Sequence, residues 1–138
     1  MIIGTLLLSA CNQKDKSFKV VSDKDLTLQI MQMPLTSSND SGRSIKIRLI
    51  PSANVEKDLT PAIRDSIMLN TADLFTISRS GEAAMTVFVQ SVPNGIKGTY
   101  EFLVDLDGTH VRGSDTIVIA YRDHFINKKK YQITTVLQ

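Results

Sequence analysis

Apolar residues recur at every second position in several short runs of this chain, and residues that favour turns separate the runs. Successive side chains of a β-strand point to opposite faces of the sheet, so this period is the pattern of strands that bury one face. The runs cover residues 26–30, 45–49, 85–89, 100–106 and 131–137. Residues 117–121 are apolar throughout, which predicts a strand that is buried on both faces.

One segment has a helical period instead. Thr60 followed by Pro61 is typical of a helix N-cap and first helical position, and Ile63 and Ile67 lie one turn apart. We expect a short helix over residues 61–70 that lies across the strands. Together with a further candidate strand over residues 74–78, these patterns predict an all-β fold, a β-sandwich of about seven to eight strands with one short helix.

The composition limits the number of domains and the kinds of partner. A length of 138 residues with 42% hydrophobic and 22% charged residues is typical of one globular domain. The net charge is only +2, and no basic stretch is interleaved with aromatic residues. A nucleic-acid partner is therefore not expected.

The N-terminal residues read MIIGTLLLSAC. This apolar run is shorter than the roughly 20 residues of a transmembrane helix, but it is typical of the end of a signal peptide. Leu8, Ser9, Ala10 and Cys11 match the lipobox of bacterial lipoproteins, in which a peptidase cleaves before the cysteine and the thiol carries a diacylglyceryl group. Because no Lys or Arg precedes the run, we expect residues 1–10 to be a truncated signal peptide. A buried cysteine in an N-terminal strand is the alternative.

The residues after the lipobox predict an anchored domain. Residues 11–24 are mostly polar and are interpreted as the lipidated cysteine and its tether, and residues 25–138 as the β-sandwich domain. Each buried acyl CH₂ contributes about 0.8 kcal/mol, so the two or three chains of a lipoprotein anchor it durably. Residue 12 is Asn rather than Asp, which under the sorting rule of enteric bacteria favours the outer membrane. We therefore expect a lipid-anchored protein that faces the periplasm.

The polar residues show no enzymatic motif. Asp123 and His124 are neighbours in a predicted strand region, where adjacent side chains point to opposite faces, and no GxSxG sequence is present. Asp105, Asp107 and Asp115 suggest calcium, but the ligand pattern of a calcium loop is incomplete, and a turn capped by Asp is the simpler interpretation. We predict a binding protein that is not an enzyme, with no metal and no cofactor except the covalent lipid on Cys11.

Four segments occur in an order that resembles the outer-membrane lipoprotein family of type VI secretion systems (TssJ, also called SciN). The first is the lipobox, and the second is the strand at 26–30 with a long polar loop and the strand at 45–49. The third is Arg-Ser-Gly-Glu at 79–82, similar to the family's Arg-Pro-Gly-Glu turn. The fourth is Ile-Ala-Tyr-Arg-Asp at 119–123 with the final strand at 130–137. The segment 90–116 is longer than the family pattern.

The resemblance implies a transthyretin-like sandwich whose loop binds the periplasmic domain of a large inner-membrane secretion protein (TssM-like). Short polar side chains in this loop supply adaptable hydrogen-bonding groups, and a solvated hairpin loop is the alternative. The residues of the predicted partner-binding loop are Leu35, Thr36, Ser37, Ser38, Asn39, Asp40, Ser41, Gly42 and Arg43.

The function that we expect is that of an outer-membrane subunit of a type VI secretion membrane complex. Two alternatives stay open from the sequence. One is a pilotin that escorts a secretin to the outer membrane, and the other is a ligand-binding periplasmic lipoprotein with an immunoglobulin-like sandwich.

Overall fold

A computed structural model describes residues 18–33, 43–107 and 109–138. In these ranges nine strands form two antiparallel sheets that pack face to face, which confirms the predicted all-β sandwich. The five-stranded sheet has the order β1 (Phe18–Ser22), β2 (Leu26–Gln32), β3 (Ser44–Pro51), β7 (Tyr100–Asp105) and β6 (Phe88–Val92). The four-stranded sheet has the order β5 (Met85–Thr86), β4 (Phe75–Arg79), β8 (Thr116–Arg122) and β9 (Lys130–Val136).

Alternating burial explains why these segments are strands. In β3 the side chains of Ile45, Ile47 and Leu49 are fully buried, whereas Lys46 and Arg48 point away from the core. Burying one such aliphatic side chain contributes about 1.5–3 kcal/mol, so the register of the strand is strongly specified. A shift by one residue would place the cations in the core.

Aromatic rings join the two sheets at the centre of the core. The ring of Phe75 lies 5.3 Å from that of Phe102 and 5.0 Å from that of Tyr121, measured between centroids. Tyr121 belongs to β8, which lies between β4 and β9 in the middle of its sheet. On the other side of β8, Ala120 is also buried, which agrees with the uniformly apolar sequence of this strand.

Two α-helices connect the sheets between β3 and β4. Helix α2 (Pro61–Asn70) has the predicted bounds: the Thr60 hydroxyl accepts the Ile63 N–H at 3.2 Å, and Ile67 is fully buried. Helix α1 (Ala53–Asp58) and a 3-10 helix (Ala72–Leu74) were not predicted. Helix α1 is short and buries none of its residues completely, so it carries no clear apolar period. No helix in the described ranges is both long and apolar enough to cross a membrane.

Two features of the strands differ from the predicted boundaries. Strand β1 lies inside the predicted tether, residues 11–24, so the described sandwich already includes residues before the predicted start at residue 25. Its five residues form an edge strand with a largely exposed surface, and such strands show weak alternation. The run at 85–89 is divided at Val87, where the chain passes from the four-stranded sheet (β5) to the five-stranded sheet (β6).

Candidate functional site

Most of the predicted site residues, Cys11 and residues 35–42, lie outside the described residues. The structure does describe the place from which the predicted loop leaves. The Met33 N–H donates to the Ser44 carbonyl at 3.0 Å, which continues the pairing of β2 with β3 up to the edge of the described residues. The loop therefore leaves the sandwich at this end, which we call the loop end.

Arg43, the one described residue of the predicted site, is tied to the domain itself. Its side-chain Nε donates to the Gln138 carbonyl at 3.3 Å, and its own carbonyl accepts the Leu106 N–H at 2.8 Å. The buried side chain of Gln32 also reaches the end of β9, donating to the Val136 carbonyl at 2.8 Å. These bonds fix both sides of the loop base to the same neighbouring segment.

A cavity of about 200 Å³ lies within this base. It is lined by Gln32, Met33, Arg43, Ser44, Leu106, Leu137 and Gln138. The lining combines aliphatic side chains with hydrogen-bonding groups, as small binding pockets commonly do.

The Arg-Ser-Gly-Glu segment forms the turn that follows β4, also at the loop end. The Glu82 N–H donates to the Arg79 carbonyl at 3.0 Å, and Gly81 has a φ of 78°, which other residues rarely adopt. The Arg79 guanidinium binds both carboxylate oxygens of Glu82, and this hydrogen bonding holds the pKa of Glu82 below its usual value. The residue types of this motif are therefore explained by the construction of a turn.

The Ala-Tyr-Arg-Asp segment ends β8 at the opposite end of the sandwich. One oxygen of the buried Asp123 carboxylate accepts the N–H groups of Ile126, Asn127 and Lys128 at 2.6–2.9 Å. The other oxygen accepts the Tyr121 hydroxyl at 2.9 Å. Burial alone would raise the pKa of Asp123, but these hydrogen bonds outweigh it and lower the pKa. The carboxylate thus closes the β8–β9 loop, and both its oxygens are occupied there.

The other polar residues considered from the sequence also build turns. Asp105 accepts the Asp107 N–H at 2.8 Å, and Asp115 accepts the Arg112 N–H at 2.7 Å. In the described part of the chain, no three His, Cys, Asp or Glu side chains are grouped as metal ligands. His110 precedes β8 and His124 follows it, so the strand separates the two histidines.

The sequence patterns missed a surface on the outward side of the five-stranded sheet, which we call the outer face. The strand registers place its side chains in rows that cross the sheet. One row is Phe18, Met31, Lys46, Leu103 and Gln90, and the next is Val20, Gln29, Arg48, Glu101 and Val92. Predicting the outer face from sequence would have required knowing that β3 pairs with β7, and these strands are distant along the chain.

Glu101 is the electrostatic centre of the outer face. It is only 5% exposed, and its oxygens lie 3.2 Å from Lys46 Nζ, 3.2 Å from Arg48 Nε and 3.1 Å from Asn94 Nδ2. Burial would raise the pKa of Glu101, but the bonds from Asn94, Lys46 and Arg48 lower it. Since two cations share one carboxylate, a net positive charge remains in the middle of the face.

Apolar side chains surround this charged centre. Val20 is 48%, Met31 36% and Phe88 69% exposed, and Leu103 is half-buried. The outward side of the four-stranded sheet is different, since apart from Val118, Ala120 and Val136 it is polar. Its polar residues are Thr76, Ser78, Thr86, Thr116, Arg122, Lys130, Gln132 and Thr134. The outer face is therefore the less hydrophilic of the two.

A third surface is a shallow groove between the helices and the β6–β7 loop. Glu56 in α1 lies 3.1 Å from Arg64 Nε in α2 and accepts the Tyr100 hydroxyl at 3.3 Å. Burial, with the charge of Glu56, raises the pKa of Tyr100 to about 12. Because these contacts link both helices to β7, the groove is explained by the attachment of the helices to the sheet.

The candidate binding surfaces of the described residues are therefore the loop end and the outer face. Comparisons with family models, with curated proteins and with solved structures find no match to this chain. Its function is therefore inferred from its own residues and from the resemblance that they carry.

Proposed function

We propose that this chain is a lipid-anchored binding subunit of a type VI secretion membrane complex. Lipid on Cys11 would hold it at the outer membrane facing the periplasm, and the loop of residues 35–43 would bind a TssM-like inner-membrane protein. The observation that carries the proposal is the pairing of β2 with β3, which are adjacent antiparallel strands with this loop between them. A strand, a loop and a second strand are what the resemblance implies for this region.

The order of the other resembling segments supports the same proposal. Arg79 to Glu82 form the turn after β4, and the Ala-Tyr-Arg-Asp segment ends β8. The final strand, β9, pairs with β8 along its whole length. The resembling segments therefore occupy connected positions in one sandwich, as members of one fold pattern would.

The fixed base of the loop favours a binding role. Arg43 and Gln32 connect both sides of the base to the end of β9, so the loop leaves from rigid elements. A recognition segment whose attachment points are fixed loses less conformational entropy when it binds. Binding segments are commonly loops on such scaffolds.

The start of β1 bears on the distance to the membrane. Phe18 lies opposite Met31, close to the end of β2 from which the loop leaves. Phe18 is seven positions after Cys11, and seven residue steps of extended chain span at most about 25 Å. A lipid on Cys11 would therefore keep the loop end close to the bilayer, and the partner would have to reach that zone.

The anchor is tested with Cys11→Ser and the matched variant Asn12→Ser, which keeps the lipobox. We expect Cys11→Ser to appear in the soluble periplasmic fraction and to abolish secretion, because the thiol that carries the lipid is gone. Asn12→Ser should remain in the membrane fraction. Mass spectrometry of the mature wild type should show an acylated N-terminal cysteine. Normal membrane fractionation of Cys11→Ser, or an unmodified thiol, would contradict the anchor.

The loop is tested by replacing residues 35–42 with a short turn. The purified periplasmic domain of the TssM-like protein serves as the probe in a pull-down, and thermal unfolding reports stability. We expect loss of the probe with a nearly unchanged melting temperature, because the described core is built from the strands and helices on either side of this loop. A matched replacement of residues 95–97, at the opposite end, keeps the Asn94 bond to Glu101 and should leave probe binding intact. Undiminished binding by the shortened loop would remove it from the proposal.

A further inference from the structure

We propose that the outer face of the five-stranded sheet is a second docking surface for the same partner, and that it receives a segment with a carboxylate between apolar side chains. The identity of the partner rests on the proposed function. The chemistry of the segment rests on the side chains of the outer face, which the resemblance does not describe.

The charges of the outer face select an acidic group. Lys46 lies between Met31 and Leu103 in its row, and Arg48 lies beside Glu101 in the next. Glu101 neutralises one of the two cations, which leaves one positive charge unmatched. A carboxylate placed over Lys46 would be shielded from water by the neighbouring apolar side chains, and ion pairs strengthen when water is excluded.

The apolar residues supply the remaining contact area. Val20, Met31 and Phe88 are exposed around the charged centre. Aromatic residues, Met and Arg are enriched in protein–protein interfaces, and they supply many of the residues that dominate binding energy. The outer face has this composition, whereas the outward side of the four-stranded sheet is mainly Thr, Ser, Gln and Lys.

The same charges disfavour two other occupants. In a two-fold contact between copies of this chain, residues near the axis meet their own counterparts, so Lys46 and Arg48 would face like charges. An anionic lipid surface would meet Asp105 and Asp107 beside Phe88 at the corner of the face. A protein segment can place its carboxylate over the cations and an apolar side chain against Phe88 at the corner.

The outer face continues into the base of the predicted loop. A hollow of about 270 Å³ at the corner of the sheet is lined by Arg43, Ser44, Phe88, Gln90, Leu103, Asp105 and Asp107. Five strands about 4.8 Å apart and about 17 Å long present roughly 400 Å². This is about half of the ~800 Å² per partner in a typical stable interface, so one partner could cover the face and the loop together.

Two pairs of variants test the proposal, each with a matched control away from the outer face and the loop end. Phe88→Asp and Lys46→Gln alter the outer face, and Lys46→Gln leaves Arg48 and Asn94 on Glu101. Leu69→Asp, on the exposed side of α2, and Lys130→Gln, on β9, make the same changes at exposed positions elsewhere. The detergent-solubilised full mature chain is titrated with the periplasmic domain of the TssM-like protein, and circular dichroism verifies the fold of each variant.

We expect Phe88→Asp and Lys46→Gln each to weaken binding about tenfold or more, and both controls to stay within about twofold of the wild type. If both outer-face variants bind the probe as tightly as the wild type does, this inference is overturned and the loop proposal stands. Equal losses in the controls would also overturn it. If the wild type does not bind, the proposed function fails, and this inference fails with it.

Two further measurements separate the other occupants. Sedimentation equilibrium that shows a wild-type dimer, dissociated by Phe88→Asp, would assign the outer face to a second copy and overturn the proposal. The Cys11→Ser chain is also mixed with vesicles of phosphatidylglycerol and phosphatidylethanolamine. Vesicle binding that Lys46→Gln abolishes, with unchanged binding of the probe, would assign the outer face to lipid instead.

Discussion

Replacing Asp123 with Asn tests whether one buried carboxylate holds the β8–β9 loop. The side chain keeps its size, but one oxygen becomes an NH₂ group and the negative charge is lost. If the remaining oxygen still accepts Ile126, Asn127 and Lys128, the NH₂ group faces the Tyr121 hydroxyl and the Phe125 N–H. The Phe125 N–H then has no acceptor, and three hydrogen bonds to a charged oxygen become bonds to a neutral one.

The expected magnitude follows from these bonds. A hydrogen bond to a charged group contributes about 1.5–3 kcal/mol and a neutral one about 0.5–1.5 kcal/mol, so three weakened bonds and one lost bond come to about 4 kcal/mol. A neutral amide is easier to bury than a carboxylate, which offsets part of this loss. We expect Asp123→Asn to lower the free energy of unfolding by about 2–3 kcal/mol, which is roughly 10 °C in melting temperature.

Urea unfolding measured from pH 3 to pH 7 is the assay, with Asp105→Asn as the matched control. Asp105 is half-buried and accepts one backbone N–H, from Asp107, so its replacement should cost under about 1 kcal/mol. The pKa of Asp123 is lowered in the folded state, so its stabilisation is present above the ordinary carboxyl pKa of about 3.9. That stabilisation is lost as the pH falls through the lowered value. An Asp123→Asn penalty no larger than that of Asp105→Asn, or one that does not shrink in acid, would refute this reasoning.

Two other substitutions test the core and the outer face. Ile67→Ala should lower the free energy of unfolding by about 2–4 kcal/mol, because it leaves a cavity at a fully buried position, whereas Leu69→Ala on the exposed side of the same helix should change it by less than about 0.5 kcal/mol. Equal effects of these two variants in urea unfolding would mean that the buried and exposed sides of α2 are assigned wrongly. Glu101→Gln should lower the free energy of unfolding by about 1–2 kcal/mol near pH 7, because the ion pairs with Lys46 and Arg48 are lost. The loss is no larger because both cations are partly exposed and regain water. This cost should diminish as the pH falls through the lowered pKa of Glu101, and a cost that is constant down to pH 3 would contradict the role of that carboxylate.

Local periodicity was sufficient to predict the main elements. The two-residue period predicted β2, β3 and β7, and the cap at Thr60 predicted where α2 begins. These elements bury one continuous side, so their sequence contains the signal. Strand β1 and helix α1 bury little, and the sequence showed no comparable pattern for either.

The outer face could not be predicted in the same way. Alternation shows that Lys46 and Arg48 point away from the core, but it does not show which strand lies beside β3. The neighbour is β7, so Glu101 meets cations that lie more than 50 residues earlier. The role of Asp123 was hidden for a related reason, because a single Asp after a strand does not reveal how many N–H groups the following loop will turn toward it.

The turns built by Arg79 and Asp123 also show which parts of the resemblance bear on function. Their residue types follow from ion pairing and hydrogen bonding within turns, which a sandwich of any function can use. The proposed function therefore depends on the lipobox and on the loop of residues 35–43 rather than on these two turns. If Cys11 carries lipid as proposed, a tether of a few residues would limit the distance of the sandwich from the bilayer but would not by itself fix its orientation. A loop contact alone would leave much of that freedom, whereas a partner that also covers Lys46 and its apolar neighbours would fix one orientation at the membrane.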